Sequence, residues 1–388
     1  MLFLTFTGYN FRLFFKGAVI LIMDLNVLPK TIVAKKSFNA ALYGDKQLYK
    51  WEENRFLPVE TKESRNGESK MGRGIMSRGG VHIVADVGGT NTRLALSAGT
   101  ALRKETLKRY ENATASCLED ILDRYISEMN VSSFDGICIA VAGPAHQDRA
   151  ELTNIDWTIQ KSALQKIAKT EKAGIINDMQ AQGYALSALN DTDIKHVYGT
   201  PQVDKTKRML VCGVGTGFNI ALSIPTPHGV IVPPAEAGHT RLPVRNATEQ
   251  KVVDYLIKKN GFAEVEEVIS GRGMALVNHV LYPNSPRTSQ DVIQSAPENA
   301  EARHVVDVFC GFAGSYFGDL ALTTLPEGGI FLIGGLARAL EPFMSETNFG
   351  AAFCDKGRFS EMNKSFGVNL VVDDFAALRG CANYLTQG

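Results

Sequence analysis

Carboxylates, an amide and an imidazole recur in this chain beside apolar runs, where the backbone holds a side chain at fixed range from a ligand. Asn177 and Asp178 follow the run 173–176 and precede a segment of helical composition. Glu236 and His239 share the small-residue stretch Pro234-Ala235-Glu236-Ala237-Gly238-His239, and Glu266 stands just before Val268-Ile269-Ser270-Gly271-Arg272-Gly273. Such groups accept from and donate to hydroxyls, and one carboxylate takes two neighbouring hydroxyls at once, as a sugar presents them. At the end of a strand, Asp178 suits a general base for a hydroxyl proton; read alone, it is equally a helix N-cap carboxylate. Read alone, Glu236 and His239 also fit a solvated turn, and Glu266 a surface acid.

A second kind of chemistry is written in glycines. Residues 82–96 read HIVADVGGTNTRLAL: a short apolar run ends in Asp86, a Gly88-Gly89 turn carries Thr90 and Asn91, and alternating apolar residues follow. That is a strand, a tight turn and an antiparallel strand. Without a Cβ, the turn brings its N–H groups close to an anion. A strand-end acid beside it can sit on the hydrated Mg²⁺ of a nucleotide, which needs only one or two protein oxygens. An ordinary glycine hairpin fits the same letters. The layout returns at 209–224, around Gly215-Thr216-Gly217, so a duplicated scaffold with two such turns facing across a cleft is expected. The sequence holds no P-loop, GxSxG elbow, HExxH or kinase HRD set, so phosphate handling rests on the glycine turns and a nucleophilic serine or cysteine is not expected.

These residues need elements to place them, and 388 residues give room for two domains. From His82 onward strands and helices alternate, as in layered α/β domains. Strands are expected at 82–87, 92–97, 102–107, 134–142, 173–176, 209–214, 218–224, 329–333 and 368–372, and helices at 114–129, 163–168, 179–189, 246–260, 271–281, 301–322, from 336 and at 375–385. Ligands gather at the carboxyl ends of strands in such sheets. Lys+Arg and Asp+Glu both number 41, so no field of one sign draws nucleic acid or an anionic membrane. The six cysteines are scattered without a CxxC pair and several lie in apolar runs, which predicts reduced thiols and a cytoplasmic protein. Arg12 and Lys16 interrupt the apolar start of the chain, and the run 17–23 is too short to span a bilayer. Residues 24–80 show no amphipathic pattern; the expectation is that 1–79 form an extension outside the fold, with translation starting at Met76 and no stable membrane association.

Taken in order, DVGGTNTRLAL, AVAGP, LTNIDW, IINDMQA, GVGTGFNIAL, PAEAGH, VISGRG, LIGGLARAL and DKGRF resemble bacterial-type ATP-dependent glucokinase, of the actin/hexokinase ATPase superfamily, from about residue 83 to the carboxyl end. The resemblance implies a two-domain α/β fold, actin/hexokinase-like (RNase H-like), with the active-site cleft between a small domain (80–188 plus 368–388) and a large one (189–367). It implies ATP and Mg²⁺, glucose phosphorylated at its 6-hydroxyl as the first step of glycolysis, and a homodimer. Asp86 would hold Mg²⁺ through water, Gly88, Gly89, Thr90 and Asn91 would line the phosphates, and Gly215, Thr216 and Gly217 would form the second phosphate turn. Gly334 and Gly335 match the adenosine motif. Asn177, Asp178, Glu236, His239 and Glu266 match the glucose-binding positions, with Asp178 as the base and Asn154 a further candidate. Asn219, Ala237 and Arg272 depart from the family pattern, which more often has glycine, glycine and proline there. A kinase for mannose or an amino sugar, and an ATP-binding sensor without turnover, are the alternatives.

Overall fold

The computed structural model describes residues 80–387 other than Ser132, Gln147, Thr153, Asn154 and Gln202, and short strands before them. The chain divides into a unit Met1–Ile75 and a unit Met76–Gly388. In the first, β1 (Val19–Ile20), β2 (Ala40–Gly44), β3 (Gln47–Glu52) and β4 (Arg55–Pro58) pair in that order. What else was expected of residues 1–79 lies outside the described residues.

The second unit opens with the meander β5 (Val81–Val87), β6 (Asn91–Ala98) and β7 (Ala101–Glu111). Helix α1 (Leu118–Met129) leads to β8 (Gly136–Val141), then come the hairpin β9 (Arg149–Glu151) and β10 (Thr158–Gln160), α2 (Lys161–Ala168) and β11 (Ala173–Asn177). The sheet order is β11-β8-β5-β6-β7, with β11, β8 and β5 parallel. Every residue of β8 is buried, as a strand covered on both faces requires. On one face Leu118, Ile121, Leu122 and Tyr125 of α1 supply an apolar stripe at helical spacing. This helix starts after Cys117 and not at Thr114, because residues 112–114 close a tighter 3-10 turn at the end of β7.

Then follow α3 (Asp178–Ala185), β12 (Ile194–Tyr198), β13 (Met209–Val214), β14 (Phe218–Thr226), β15 (Gly229–Ile231) and the helices α4 (Ala247–Asn260), α5 (Gly271–Leu281), α6 (Ser289–Ser295) and α7 (Ala300–Thr324). The chain ends with β16 (Ile330–Ile333), α8 (Gly335–Met344), α9 (Phe349–Cys354), α10 (Ser360–Lys364), β17 (Val368–Val371) and α11 (Ala376–Thr386). The second sheet runs β12-β17-β16-β13-β14-β15. Its β13 is antiparallel to β14 and parallel to β16, which is parallel to β17; β5 stands in the same relations to β6, β8 and β11. The strand–glycine–strand layout is thus duplicated with its sheet. Helix α7 is long and apolar enough to cross a membrane, but here it is a core helix, with Phe309, Phe312 and Phe317 fully buried.

The carboxyl-terminal segment splits between the sheets. Strand β17 pairs with β16 in the second sheet, while α11 packs on the first. Between them lies α3. Its Ala181 packs with α11 and the first sheet, while Met179 and Ala185 pack with β13, β14 and β16. Buried on two sides, the helix shows no single apolar stripe, and its buried residues are Met179, Ala181, Gly183 and Ala185. The approach to α11 is close enough to require glycine: a Cβ on Gly380 would lie 1.7 Å from the Ala181 carbonyl oxygen. Asp178 therefore heads a helix clamped between the two sheets.

Candidate active site

Asn177, at the end of β11, caps α3. Its Oδ1 accepts the Met179 N–H at 2.9 Å, its own N–H donates to Gln180 Oε1 at 3.1 Å, and its Nδ2 donates to the Gly143 carbonyl at 3.0 Å. Since Asn177 fills the cap, Asp178 occupies the first helical position, where its Oδ1 also accepts the Met179 N–H at 2.8 Å. Gln180 Nε2 donates to the Val232 carbonyl at 2.9 Å and ties this helix start to the second sheet's side. Burial pushes the Asp178 carboxyl up to about 6, the Met179 N–H opposes that, and the negative charges of Asp86 and Glu236 push it higher. Three acids from distant parts of the chain thus feel one another at one place. A carboxylate tuned to that value stays ionised at neutral pH and holds a proton better than an ordinary aspartate.

The first glycine turn is closed by the Gly88 N–H on the Asn91 carbonyl at 3.0 Å. Asn112 braces it from beneath: Nδ2 donates to the Gly88 carbonyl at 2.8 Å, Oδ1 accepts from Thr92 Oγ1 at 2.8 Å, and its N–H donates to the Thr90 carbonyl at 2.9 Å. Arg109 Nε reaches Asn91 Oδ1 at 3.0 Å. Asp86 pairs across β5 and β6 with Arg93; burial pushes its carboxyl up and the Arg93 charge pulls it down.

The second turn closes with the Gly215 N–H on the Gly217 carbonyl at 3.0 Å, and the Gly271 N–H at the start of α5 donates to the Gly215 carbonyl at 2.7 Å. Gly334 is demanded by the protein itself, since its φ is +104° and a Cβ would lie 2.3 Å from the Val214 carbonyl oxygen. Gly215 and Gly335 differ: a Cβ on either meets nothing within 4 Å. Packing does not explain those two glycines, and the open space beside each leaves the backbone accessible to a ligand. Both lie just past the carboxyl ends of parallel strands, β13 and β16.

The loop 234–239 carries Glu236, whose charge acts on Asp178. Asn219 Nδ2 donates to the Ala235 carbonyl at 2.7 Å and to Glu236 Oε2 at 3.1 Å, and Asn219 Oδ1 accepts the Ala237 N–H at 3.0 Å. The Tyr316 hydroxyl donates to the Ala237 carbonyl at 2.8 Å. His239 Nδ1 lies 3.1 Å from Glu264 Oε2. Glu266 Oε2 accepts the Phe218 N–H at 2.8 Å, and Oε1 accepts Arg272 Nη2 at 2.7 Å. The bond to Glu264 raises the His239 imidazole, burial works against it, and the charges of Glu264, Glu266 and Glu236 add to the rise. Glu236, His239 and Glu266 are therefore one group, linked through Glu236 to Asp178. Asn154 lies outside the described residues. Two of the family departures have work here: Asn219 holds Glu236, and Arg272 holds Glu266. Asn112, Glu264 and Tyr316 were not anticipated, for each supports a site residue from a stretch without a motif of its own.

A profile of the Glucokinase family matches residues 83–388. The glucokinase of Caulobacter sp. (strain K31) is 31% identical over 318 residues, covering 79% of this chain and 95% of that protein. Among solved structures, the glucokinase of an Antarctic psychrotroph aligns with a TM-score of 0.71 at 28% identity over 79% of this chain and 98% of that one. The Balamuthia mandrillaris glucokinase crystallised in complex with glucose aligns at 0.65 over 81% and 96%, where 21% identity speaks for the fold.

Proposed function

The chain belongs to the glucokinase family, and from that premise and the geometry above we propose that it transfers the terminal phosphoryl group of ATP to the 6-hydroxyl of glucose with Asp178 as the base. The observation that carries the reading is the placement of Asp178 at the head of α3, where burial first, and then the charges of Asp86 and Glu236, push its carboxyl up to about 6. Phosphoryl transfer passes through a loose transition state with charge spread over the γ-oxygens, so catalysis is mostly placement and charge neutralisation. The N–H groups of the turns at Gly88, Gly89, Thr90 and Asn91 and at Gly215, Thr216 and Gly217 would face the phosphates, and Gly334 and Gly335 would admit the adenosine. Asn177, Glu236, His239 and Glu266 would hold the sugar hydroxyls, Asn154 being a further candidate. Asp178 accepts the 6-hydroxyl proton as the oxygen–phosphorus bond forms and the bond to ADP breaks.

Among the described residues no group of three or more His, Cys, Asp or Glu forms a metal cluster. Asp86 and Asp178 are hard oxygen donors with like charges, and a Mg²⁺ carried on ATP, bound mostly by water and phosphate, fits a pair of that kind. Asp86 would hold it through water. When bound, it neutralises charge on the phosphates. Since water is a rival acceptor, the cleft closes over the phosphates only when sugar fills it, and ATP hydrolysis without sugar is slow. The six thiols are unpaired, which suits a cytoplasmic enzyme; a homodimer is the assembly that the family suggests.

The test is ADP release measured across a panel of glucose, mannose, glucosamine and no sugar. Glucose with the highest kcat/KM is the expected result. Preference for another hexose moves the substrate, and no sugar-dependent release removes the kinase reading.

A further inference from the structure

Residues 263–266 run antiparallel beside 238–242. The Leu242 N–H donates to the Ala263 carbonyl at 3.0 Å, the Val265 N–H to the Thr240 carbonyl at 3.0 Å, and the Glu266 N–H to the Gly238 carbonyl at 2.9 Å. Arg241 and Glu264 pair in a bridge within this ribbon. The ribbon sets the Glu264 carboxylate 3.1 Å from Nδ1 of His239, and Glu264 belongs to neither the family's motif nor the sugar-binding set. With its side chain 26% exposed against 57% for His239, Glu264 is the anchored partner and the imidazole the one being held.

We propose that Glu264 is a positioning residue of the sugar site, which holds Nδ1 of His239 and so leaves Nε2 as the ring atom that meets a sugar hydroxyl. This rests on the reading of His239 as a sugar ligand. An ionised carboxylate only accepts, so Nδ1 carries a proton whether the ring is charged or neutral. The protonation state is then expressed at Nε2 alone: it donates when the ring is cationic and accepts when the ring is neutral. The charged groups around His239 are Glu264 and Glu266 from the ribbon, Glu236 from the preceding loop, and Arg272 on the far side of Glu266. The three acids favour the cation, which extends the donating state to higher pH than for an isolated histidine. Glu264 thereby governs which sugar oxygen finds a donor, and over what pH range.

The experiment is steady-state kinetics of the full chain, with KM for glucose and kcat followed across the neutral pH range for the parent, Glu264→Gln and His239→Asn. Glu264→Gln keeps the shape and loses the charge. Its KM is expected to rise roughly two- to fivefold at neutral pH, the scale of a partly exposed ion pair, and the pH at which KM changes should move lower. The loss should fall on KM and much less on kcat, because Asp178 is untouched. His239→Asn should raise KM and erase that pH dependence. If His239→Asn does so while Glu264→Gln tracks the parent at every pH, the role given to Glu264 is wrong. Equal losses in kcat and KM at all pH, with a lowered Tm, would mark Glu264 as merely structural and overturn it too. If His239→Asn leaves KM and its pH dependence unchanged, what fails is the prior assignment of His239 to the sugar.

Discussion

Removing the proposed base should make the unliganded protein more stable. Asp178 is pushed up to about 6 from its ordinary 3.8, mainly by burial. A carboxyl whose folded value lies above its unfolded one adds no penalty where both states are protonated, and destabilises the fold increasingly as pH rises between the two values. A difference of about 2 units at ~1.36 kcal/mol per unit sets a ceiling of ~3 kcal/mol, fully expressed above about pH 6. In Asp178→Asn that penalty disappears, while the amide oxygen still accepts the Met179 N–H that Asp178 Oδ1 takes at 2.8 Å. Losing a negative charge in the first turn of α3 takes back ~0.3–1 kcal/mol, and partial contact with solvent trims the remainder. The expected gain is ~1–2 kcal/mol, or a Tm rise of a few degrees, at about pH 7.5 without ligands. Thermal unfolding of parent and variant at that pH, and again near about pH 4, reads it; the gap should close at the lower pH as the parent carboxyl is protonated. A variant no more stable than the parent, or a gap indifferent to pH, would refute the reasoning.

Further outcomes follow from the same geometry. Glu236→Gln removes one of the charges that raise Asp178, so the acid limb of the kcat–pH profile should move to lower pH; a limb that stays in place separates the two groups. Asn219→Ala frees the loop that Asn219 ties at Ala235, Glu236 and Ala237, and KM for glucose should rise roughly tenfold, from loss of about one or two net hydrogen bonds, with KM for ATP little changed. Gly335→Ala meets no protein atom within 4 Å; it should leave Tm intact and raise KM for ATP, and an unchanged KM would take the nucleotide away from that turn. Gly380→Ala forces a Cβ toward the Ala181 carbonyl at 1.7 Å, and should cost ~1–3 kcal/mol or more in urea unfolding and displace the start of α3.

What the sequence told and withheld divides along physical lines. Strands β8 and β13 and helix α1 were legible because burial on two faces, or on one stripe, writes its own period into the letters. The motif around Asn177 and Asp178 was legible as a strand end followed by a helix, but its cap was ambiguous; the structure gives the cap to Asn177, whose side-chain oxygen accepts the Met179 N–H and whose backbone N–H donates to Gln180 Oε1. Short helices α6, α9 and α10 carry too few turns to show a period. Strand β17 was legible as a strand, but its place in a sheet was not, because strand pairing is decided by distant residues, here those of β16. The supports of the site were hidden for the same reason. Asn112 reaches the Gly88 carbonyl and Glu264 reaches His239 only after the chain has folded back on itself. Asn219 and Arg272 left a trace, visible as departures from the family pattern, and each turned out to hold an acid of the candidate sugar set.

The most direct test sets the phosphorylation rate of Asp178→Asn beside its affinity for glucose. If this carboxylate takes the proton from the hexose, kcat should fall by about 10²–10⁴-fold while the Kd for glucose, from calorimetry, stays within a few-fold of the parent. Turnover near the parent rate, or a loss of rate matched by an equal loss of binding, would contradict it.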